Sequence, residues 1–209
     1  RDAAIRRLAN YAKFWRFYLG DHWYGSVLYE EGVEKPILNV CARVADLGAD
    51  WLTGTGWTCA ALDGSVDGLA EVANAIWEYA DPYNFLARIA DFSVITGDAY
   101  GFVTILTTDE QGSSLPMDKW TPVIIPVDPA NVFPVWHGTI PGKMLAATIE
   151  YQVDSPAGEI DLYSLVVYPT TWSLYKNGVL QSTSVNIFGE VNLVHFPSNP
   201  VGGSPYGIS

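Results

Sequence analysis

Residues Tyr83–Leu106, YNFLARIADFSVITGDAYGFVTIL, constrain this chain more than any other stretch. In the first half, Phe85, Leu86, Ile89, Phe92 and Ser93 recur at helical spacing, while Arg88 and Asp91 fall away from that side. In the second half, Tyr100, Phe102, Val103 and Ile105 form a run of strand formers. Between the halves stands Thr96-Gly97-Asp98-Ala99. Glycine takes the left-handed conformation that ends a helix, and aspartate favours the turn that follows. The stretch therefore reads as a buried helix, a structural corner at Gly97 and Asp98, and a strand that starts a sheet. It is a scaffold pattern rather than a catalytic one.

Three helices are expected ahead of it. Asp2 caps the first, over residues 2–19, with Ile5, Leu8, Ala12, Trp15 and Leu19 as its stripe and Gly20 as its stop. Arg1, Arg6, Arg7, Lys13 and Arg16 gather there, in a chain with only 11 basic residues. A solvated basic face explains them, and an acidic partner is the alternative. Gly20–Pro36 reads as a loop. After Pro36, Ile37, Val40, Val44, Leu47 and Trp51 keep helical spacing, with Asn39 as a cap and Thr53–Gly56 as the stop. Trp57–Leu62 reads as a short strand and Asp63-Gly64 as a turn. Residues 67–80 form a third helix, with Leu69, Val72, Ala73, Ile76 and Trp77 as its apolar side, broken at Asp81-Pro82.

Past the corner the pattern turns to strands. Thr121–Val127, Met144–Val153, Asp161–Tyr168, Trp172–Lys176, Val179–Ser184 and Val191–Phe196 are expected. Pro126, Pro129 and Pro134 bracket a turn at Asp128–Asn131 and restrict the strands beside it to short or edge positions. Along Met144–Val153, Leu145, Ala147, Ile149, Tyr151 and Val153 share one face. Asn177-Gly178 between two alternating segments is the favoured two-residue hairpin turn. Helices followed by antiparallel strands give an α+β fold. The expected division is a helical part with the corner over 1–106, an antiparallel β part over 107–196, and an exit loop over 197–209.

Composition narrows the function classes. The 209 residues are 49% hydrophobic and 13% aromatic, so a sizeable core is available and disorder is excluded. Net charge is −12, and a chain this acidic repels a nucleic-acid backbone rather than gripping it. Cys41 and Cys59 belong to no CxxC and read as free buried thiols in a reducing compartment. No apolar run reaches membrane-spanning length and no signal peptide is visible. The chain begins without Met and stops in a Gly/Pro/Ser-rich loop, and so reads as part of a longer polypeptide.

Reactive constellations are poorly supported. His22, His137 and His195 are far apart, and none has a ligand partner at metal-site spacing; His195 reads as a hydrogen-bonded strand residue. Asp91 and Asp98 invite a paired-carboxylate hydrolase reading, but one lies on a helix and the other in a turn where aspartate is common. There is no GxSxG, and Gly202-Gly203 is followed by no Lys and no helix. No catalytic, cofactor-binding or metal-binding residue is assigned. The aromatic content, with 8 Trp and 12 Tyr, reads as core and subunit contact. A sugar-binding module that stacks exposed Trp and Tyr on its ligand is the alternative.

Five segments in order resemble the portal proteins of tailed double-stranded DNA bacteriophages. They are Tyr18-Leu19-Gly20-Asp21; Pro36–Val40 leading to Asp50–Gly54; the corner Thr96–Tyr100; Pro126–Pro129 with Val132–Val135; and Leu193–Asn199 followed by Gly202–Ser209. The resemblance covers nearly the whole chain and implies the outer wing region of a portal subunit, without stem, clip or crown. It implies a homo-oligomeric ring, usually of twelve, at one capsid vertex. The implied partners are the major capsid protein, the terminase that packages DNA, and neck or tail adaptor proteins. The genome passes through such a ring in packaging and ejection without sequence-specific binding. The implied location is the virion, with assembly in the host cytoplasm, and the family is not catalytic.

A ring joined head to tail needs two different sticky faces on each subunit. Trp15, Trp23, Trp57, Trp77, Trp120 and Trp136 are the candidate interface aromatics, because large aromatics are enriched at interface cores. A net acidic wall also leaves DNA only weak, transient contacts.

Overall fold

The structure, a computed structural model, describes residues 2–22, 39–54, 58–60, 68–79, 81–107, 113–114, 116, 119–140, 142–154 and 158–198. Four helices come first: α1 (Asp2–Tyr18), α2 (Val40–Thr53), α3 (Leu69–Tyr79) and α4 (Pro82–Thr96). Eight strands follow: β1 (Asp98–Leu106), β2 (Thr121–Val127), β3 (Val132–Trp136), β4 (Met144–Asp154), β5 (Ile160–Val167), β6 (Thr171–Lys176), β7 (Val179–Val185) and β8 (Leu193–Pro197). The six strand pairings among these elements are antiparallel and the fold is α+β. One sheet has the order β2-β1-β8 and the other β3-β4-β5-β6-β7.

The three-stranded sheet is the middle layer. Its central strand β1 begins with five buried residues in a row, because both of its faces are covered. Tyr100 and Phe102 point one way, into a core with Val132, Ala147, Ile149, Val167 and Leu193 that joins the two sheets. Ala99 points the other way, into a core with Phe85, Leu86, Ile89 and Phe92 of α4. Gly101 shares that second face. A Cβ there would lie 3.1 Å from Phe85 Cζ and 3.3 Å from Phe196 Cε2, so a bare backbone is what lets the rings close over β1.

The corner is built as a left-handed stop. Gly97 has φ 84° and ψ −8°, and its N–H bonds Ser93 O. The Thr96 hydroxyl reaches both Phe92 O, at 2.7 Å, and Asp98 O, at 2.8 Å, stitching the last helical turn to the first strand residue. Farther along, Asn177 and Gly178 have φ of 50° and 78°, and Lys176 pairs with Val179 across the two-residue turn.

Residues 132–136 pair as a short edge strand, as the prolines around the Asp128–Asn131 turn require, since an edge position has no ladder bond to lose on its outer side. Other local expectations change. On β4, Ala146 and Ala147 are both buried and Leu145 is exposed, because a register shift at Val135/Trp136 interrupts the alternation. For the strand expected over Trp57–Leu62, Trp57, Ala61 and Leu62 lie outside the described residues, and Thr58–Ala60 are not strand. There the Asn74 side chain takes the place of a partner strand: Cys59 N–H donates to Asn74 Oδ1 at 2.8 Å and Asn74 Nδ2 donates to Cys59 O at 2.9 Å. Cys41 and Cys59 are free as expected but exposed rather than buried, one in the first turn of α2 and the other on a loop. Nearly all of the exit loop, residues 199–209, lies outside the described residues.

The helix whose burial the spacing alone does not reveal is α2. Asn39 caps it as expected, its Oδ1 accepting from Ala42 N at 3.1 Å. Yet the large apolar stripe faces outward. Val44, Leu47 and Trp51 are 65%, 62% and 86% exposed, and Val40 is exposed with them. The side turned to α4 is the small one, with Ala42, Ala45, Gly48 and Ala49. Small side chains let two helices approach closely, and the bulky side is then the one left over.

Candidate functional site

Two features stand out: a sealed polar junction at the corner and the outward face of α2. The junction forms where α1, β1 and β8 meet. Antiparallel pairing sets Tyr100 of β1 opposite His195 of β8, and their rings stack with centroids 4.7 Å apart. Asp98, two residues before Tyr100, is 2% exposed. Its Oδ1 contacts His195 Nε2 at 2.8 Å, and its Oδ2 accepts from the Tyr11 hydroxyl of α1. Trp136 of β3 closes the far side of His195, with ring centroids 5.3 Å apart.

Burial pushes the Tyr11 hydroxyl well above its usual range, and the Asp98 carboxylate beside it adds to the effect. Tyr11 therefore stays protonated and donates. One turn away, Arg7 donates to Val132 O of β3 and sits 5.5 Å over the Tyr11 ring. A single helical face thus holds both sheets.

This junction has the residue types of an acid–base triad but not the access of one. Asp98 and Tyr11 are both buried and spend their polar atoms on each other and on His195. Asp91 has a different setting. It is half-buried on α4, where burial first and then Asp46 and Asp50 raise its carboxyl above the ordinary range, against the pull of Arg88. Asp91 and Asp98 are not brought together as a carboxylate pair by any contact described. Among the described residues, no group of three or more His, Cys, Asp or Glu is placed to hold a metal ion, and no helix is long and apolar enough to cross a membrane.

The tryptophans singled out from sequence divide. Trp15 packs edge-on against Tyr18 and Phe92, and Trp77 packs edge-on against Phe85. Trp120 and Trp136 are half-buried as well. Trp23 and Trp57 lie outside the described residues. The most exposed large apolar side chain among the described residues is Trp51, which helical spacing placed in the α2 stripe but not among the candidate interface aromatics. The signal that distinguishes the two sides of α2 was present: one arc is rich in Ala and Gly, with Ala42, Ala45, Gly48 and Ala49, and the other carries Val40, Val44, Leu47 and Trp51. The Tyr11–Asp98–His195 junction left no such trace, because its members stand 87 and 97 positions apart.

An apolar groove of about 200 Å³ opens between α3, α4 and the middle sheet, lined by Trp77, Phe85, Gly101, Val103, Ile124 and Phe196 among others. At the free end of the five-stranded sheet, Lys176 pairs with Asp161 at 2.7 Å and Asn177 Nδ2 donates to the same carboxylate at 2.9 Å. The Lys176 contact, with help from Asn177, holds the Asp161 carboxyl below its usual range.

None of these arrangements is an assembled reaction centre; they are devices for holding layers together and for presenting a surface. No curated protein matches the chain. A family model described as phage portal protein, SPP1 Gp6-like, matches residues 2–201. That match runs through all four helices and all eight strands, so the layered scaffold as a whole is the shared unit. The chain belongs to the SPP1 Gp6-like family of phage portal proteins.

Proposed function

We propose that this chain is the wing part of a portal subunit, repeated around an axis as a hollow ring at one capsid vertex. Double-stranded DNA enters and leaves the capsid through the ring. The terminase docks on it during packaging and neck or tail adaptors dock afterwards, while the major capsid protein surrounds it. The ring forms in the host cytoplasm and stays in the virion, and twelve copies is the expected number. Family membership over residues 2–201 is the observation that carries this reading.

Two physical features support it. The net charge of −12 repels phosphate, as a conduit that must release its cargo requires. The apolar outer face of α2 has no partner within the described part of one subunit, as a chain made to assemble requires. The protein acts by position, and no catalytic, cofactor or metal role is assigned to any residue. Negative-stain images of the full-length protein should show rings with a central hole. A protein that stays monomeric at micromolar concentration would sink the reading.

A further inference from the structure

The turn that closes the β6–β7 hairpin carries a reaction as well as a shape. Asn177 is the one asparagine in the sequence followed by glycine. That pair is the most prone of all to lose its side-chain amide. The Gly178 nitrogen attacks Asn177 Cγ and forms a new C–N bond. The Cγ–Nδ2 bond breaks, and ammonia leaves with the proton that the nitrogen gives up. Water then opens the cyclic imide at either of its carbonyls, giving aspartate or isoaspartate. Only water is consumed, and neither an oxidant nor a cofactor is required. Asparagine counts among the heat-labile residues for this reason.

The surroundings leave the attacking atom free. Asn177 and Gly178 are both exposed, so water reaches them. A Cβ built on Gly178 would meet nothing within 4 Å, so nothing crowds its nitrogen.

The other reactant is held. Asn177 stands one step past the Tyr163–Lys176 pair of the β5–β6 ladder. Its N–H donates to Leu162 O at 2.7 Å, as that of a strand residue would. Its backbone is left-handed, with φ 50°, and Oδ1 of the side chain takes the returning ladder bond from Leu162 N at 2.9 Å. At the other end of the amide, Nδ2 donates to Asp161 Oδ1 at 2.9 Å. Asp161 is fixed in turn, its Oδ2 lying 2.7 Å from Lys176 Nζ. The carboxamide is therefore fastened at both ends to β5, and one of its two acceptors and donors faces an ionised partner, which makes the stronger kind of bond. Cyclisation has to break both bonds before Cγ can turn to the Gly178 nitrogen.

We propose that Asn177 is a latent deamidation site, and that Asp161 with the Leu162 N–H is the clamp that keeps its carboxamide from the Gly178 nitrogen. Conversion then proceeds through brief openings of the hairpin end and not through the closed turn. Either product undoes the clamp. Aspartate at this position replaces the Nδ2 donor by a second carboxylate facing Asp161. Isoaspartate routes the backbone through the side-chain carbon and lengthens a turn whose two residues set Lys176 opposite Val179. Both outcomes loosen β7, the outer strand of the five-stranded sheet. The clamp sets the lifetime of that edge, whatever the chain assembles into, so the proposal stands apart from the portal reading.

The test uses the full-length protein held at mildly alkaline pH. After digestion, the peptide containing Asn177 is followed by mass spectrometry for the mass gain of an amide turned into an acid. Wild-type protein should convert at least about tenfold more slowly when folded than in guanidinium chloride. Folded Asp161→Ala should convert about tenfold faster than folded wild type, and at the wild-type rate once denatured. Asp161→Asn keeps an acceptor for Nδ2 and should show a smaller rise; it carries the test if circular dichroism shows that Asp161→Ala does not fold.

Equal rates in folded and denatured wild type overturn the clamp. A folded Asp161 variant that converts no faster than wild type overturns it too, and a slower one makes Asp161 a promoter of the reaction. A rise that persists in denaturant would place the effect in local chain chemistry instead of the fold, and would also overturn the proposal.

Discussion

α4 and α2 are neighbouring helices of similar apolar content, and they are used in opposite ways. α4 buries its large residues, Phe85, Leu86, Ile89, Phe92 and Ile95, between the middle sheet and the other helices. α2 buries its small ones and turns Val40, Val44, Leu47 and Trp51 outward. Periodicity finds a helix in both cases. It cannot say which apolar arc faces the chain's own core when there are two. The difference teaches that size within the arc matters: an alanine-and-glycine arc marks a close approach to a helix of the same subunit. The bulky arc opposite it is then free for a partner.

The sharpest way to break this comparison is to truncate one large residue on each helix. Phe92→Ala should cost about 3–5 kcal/mol in urea unfolding, as for a filled core site left as a cavity. Trp51→Ala should change the stability of the dissociated chain by about 0.5 kcal/mol or less, because its ring is already in water. Equal losses would place the α2 stripe in the core after all.

Next in size is the junction that fixes the start of β1 beside α4. Asp98→Ala removes the acceptor for the Tyr11 hydroxyl and the partner of His195 together. Two buried polar groups would be stranded, and a loss of about 2–4 kcal/mol is expected by the same measurement. Asp98→Asn keeps an acceptor and should lose less. A neutral Asp98→Ala would mean that the junction is wet and loose.

Gly97→Ala strains a left-handed residue at φ 84° and should cost about 1 kcal/mol or more. An unchanged melting temperature would contradict the corner geometry. Asn177→Ala with Gly178→Ala should weaken the β6–β7 hairpin yet leave ring assembly in place, which sedimentation would check.

The smallest effect lies on the seam between the two helices. The Asp91 carboxyl is raised chiefly by burial, then by Asp46 and Asp50 of α2, with Arg88 opposing and Tyr18 also nearby. An acid with a raised value costs stability once it ionises. That cost is absent below the ordinary value of 3.8 and grows as pH rises through the folded-state value. Asp91→Asn should therefore raise the melting temperature slightly near pH 7 and leave it unchanged near pH 3.

Most of the fold was legible locally. The helix–corner–strand unit carries its own punctuation, with helical spacing up to Ile95, a glycine, an aspartate, and then strand formers. The Asn177-Gly178 hairpin is equally local, as both of its residues lie in the turn itself. β3 was legible only as a short or edge strand beside the Asp128–Asn131 turn, without bounds, because Pro134 restricts a strand to such a position. Thr58–Ala60 were misjudged because a side chain, Asn74, supplies the bonds that a neighbouring strand was expected to supply. The polar junction was out of reach for another reason. Tyr11, Asp98 and His195 meet only after α1 has docked and β8 has returned to pair with β1. Family resemblance, by contrast, was readable from five short segments in order, since it depends on their sequence and not on which contacts they make.

The paired grip of α1 has a mechanical consequence. Arg7 holds β3 and Tyr11 holds β1 through Asp98, one helical turn apart. Sliding one sheet along the other would load both attachments at once, so α1 acts as a rivet against shear. In a force-spectroscopy experiment the two sheets should part in one abrupt rupture while α1 is docked, and slip in smaller steps once Tyr11→Phe has drawn the pin.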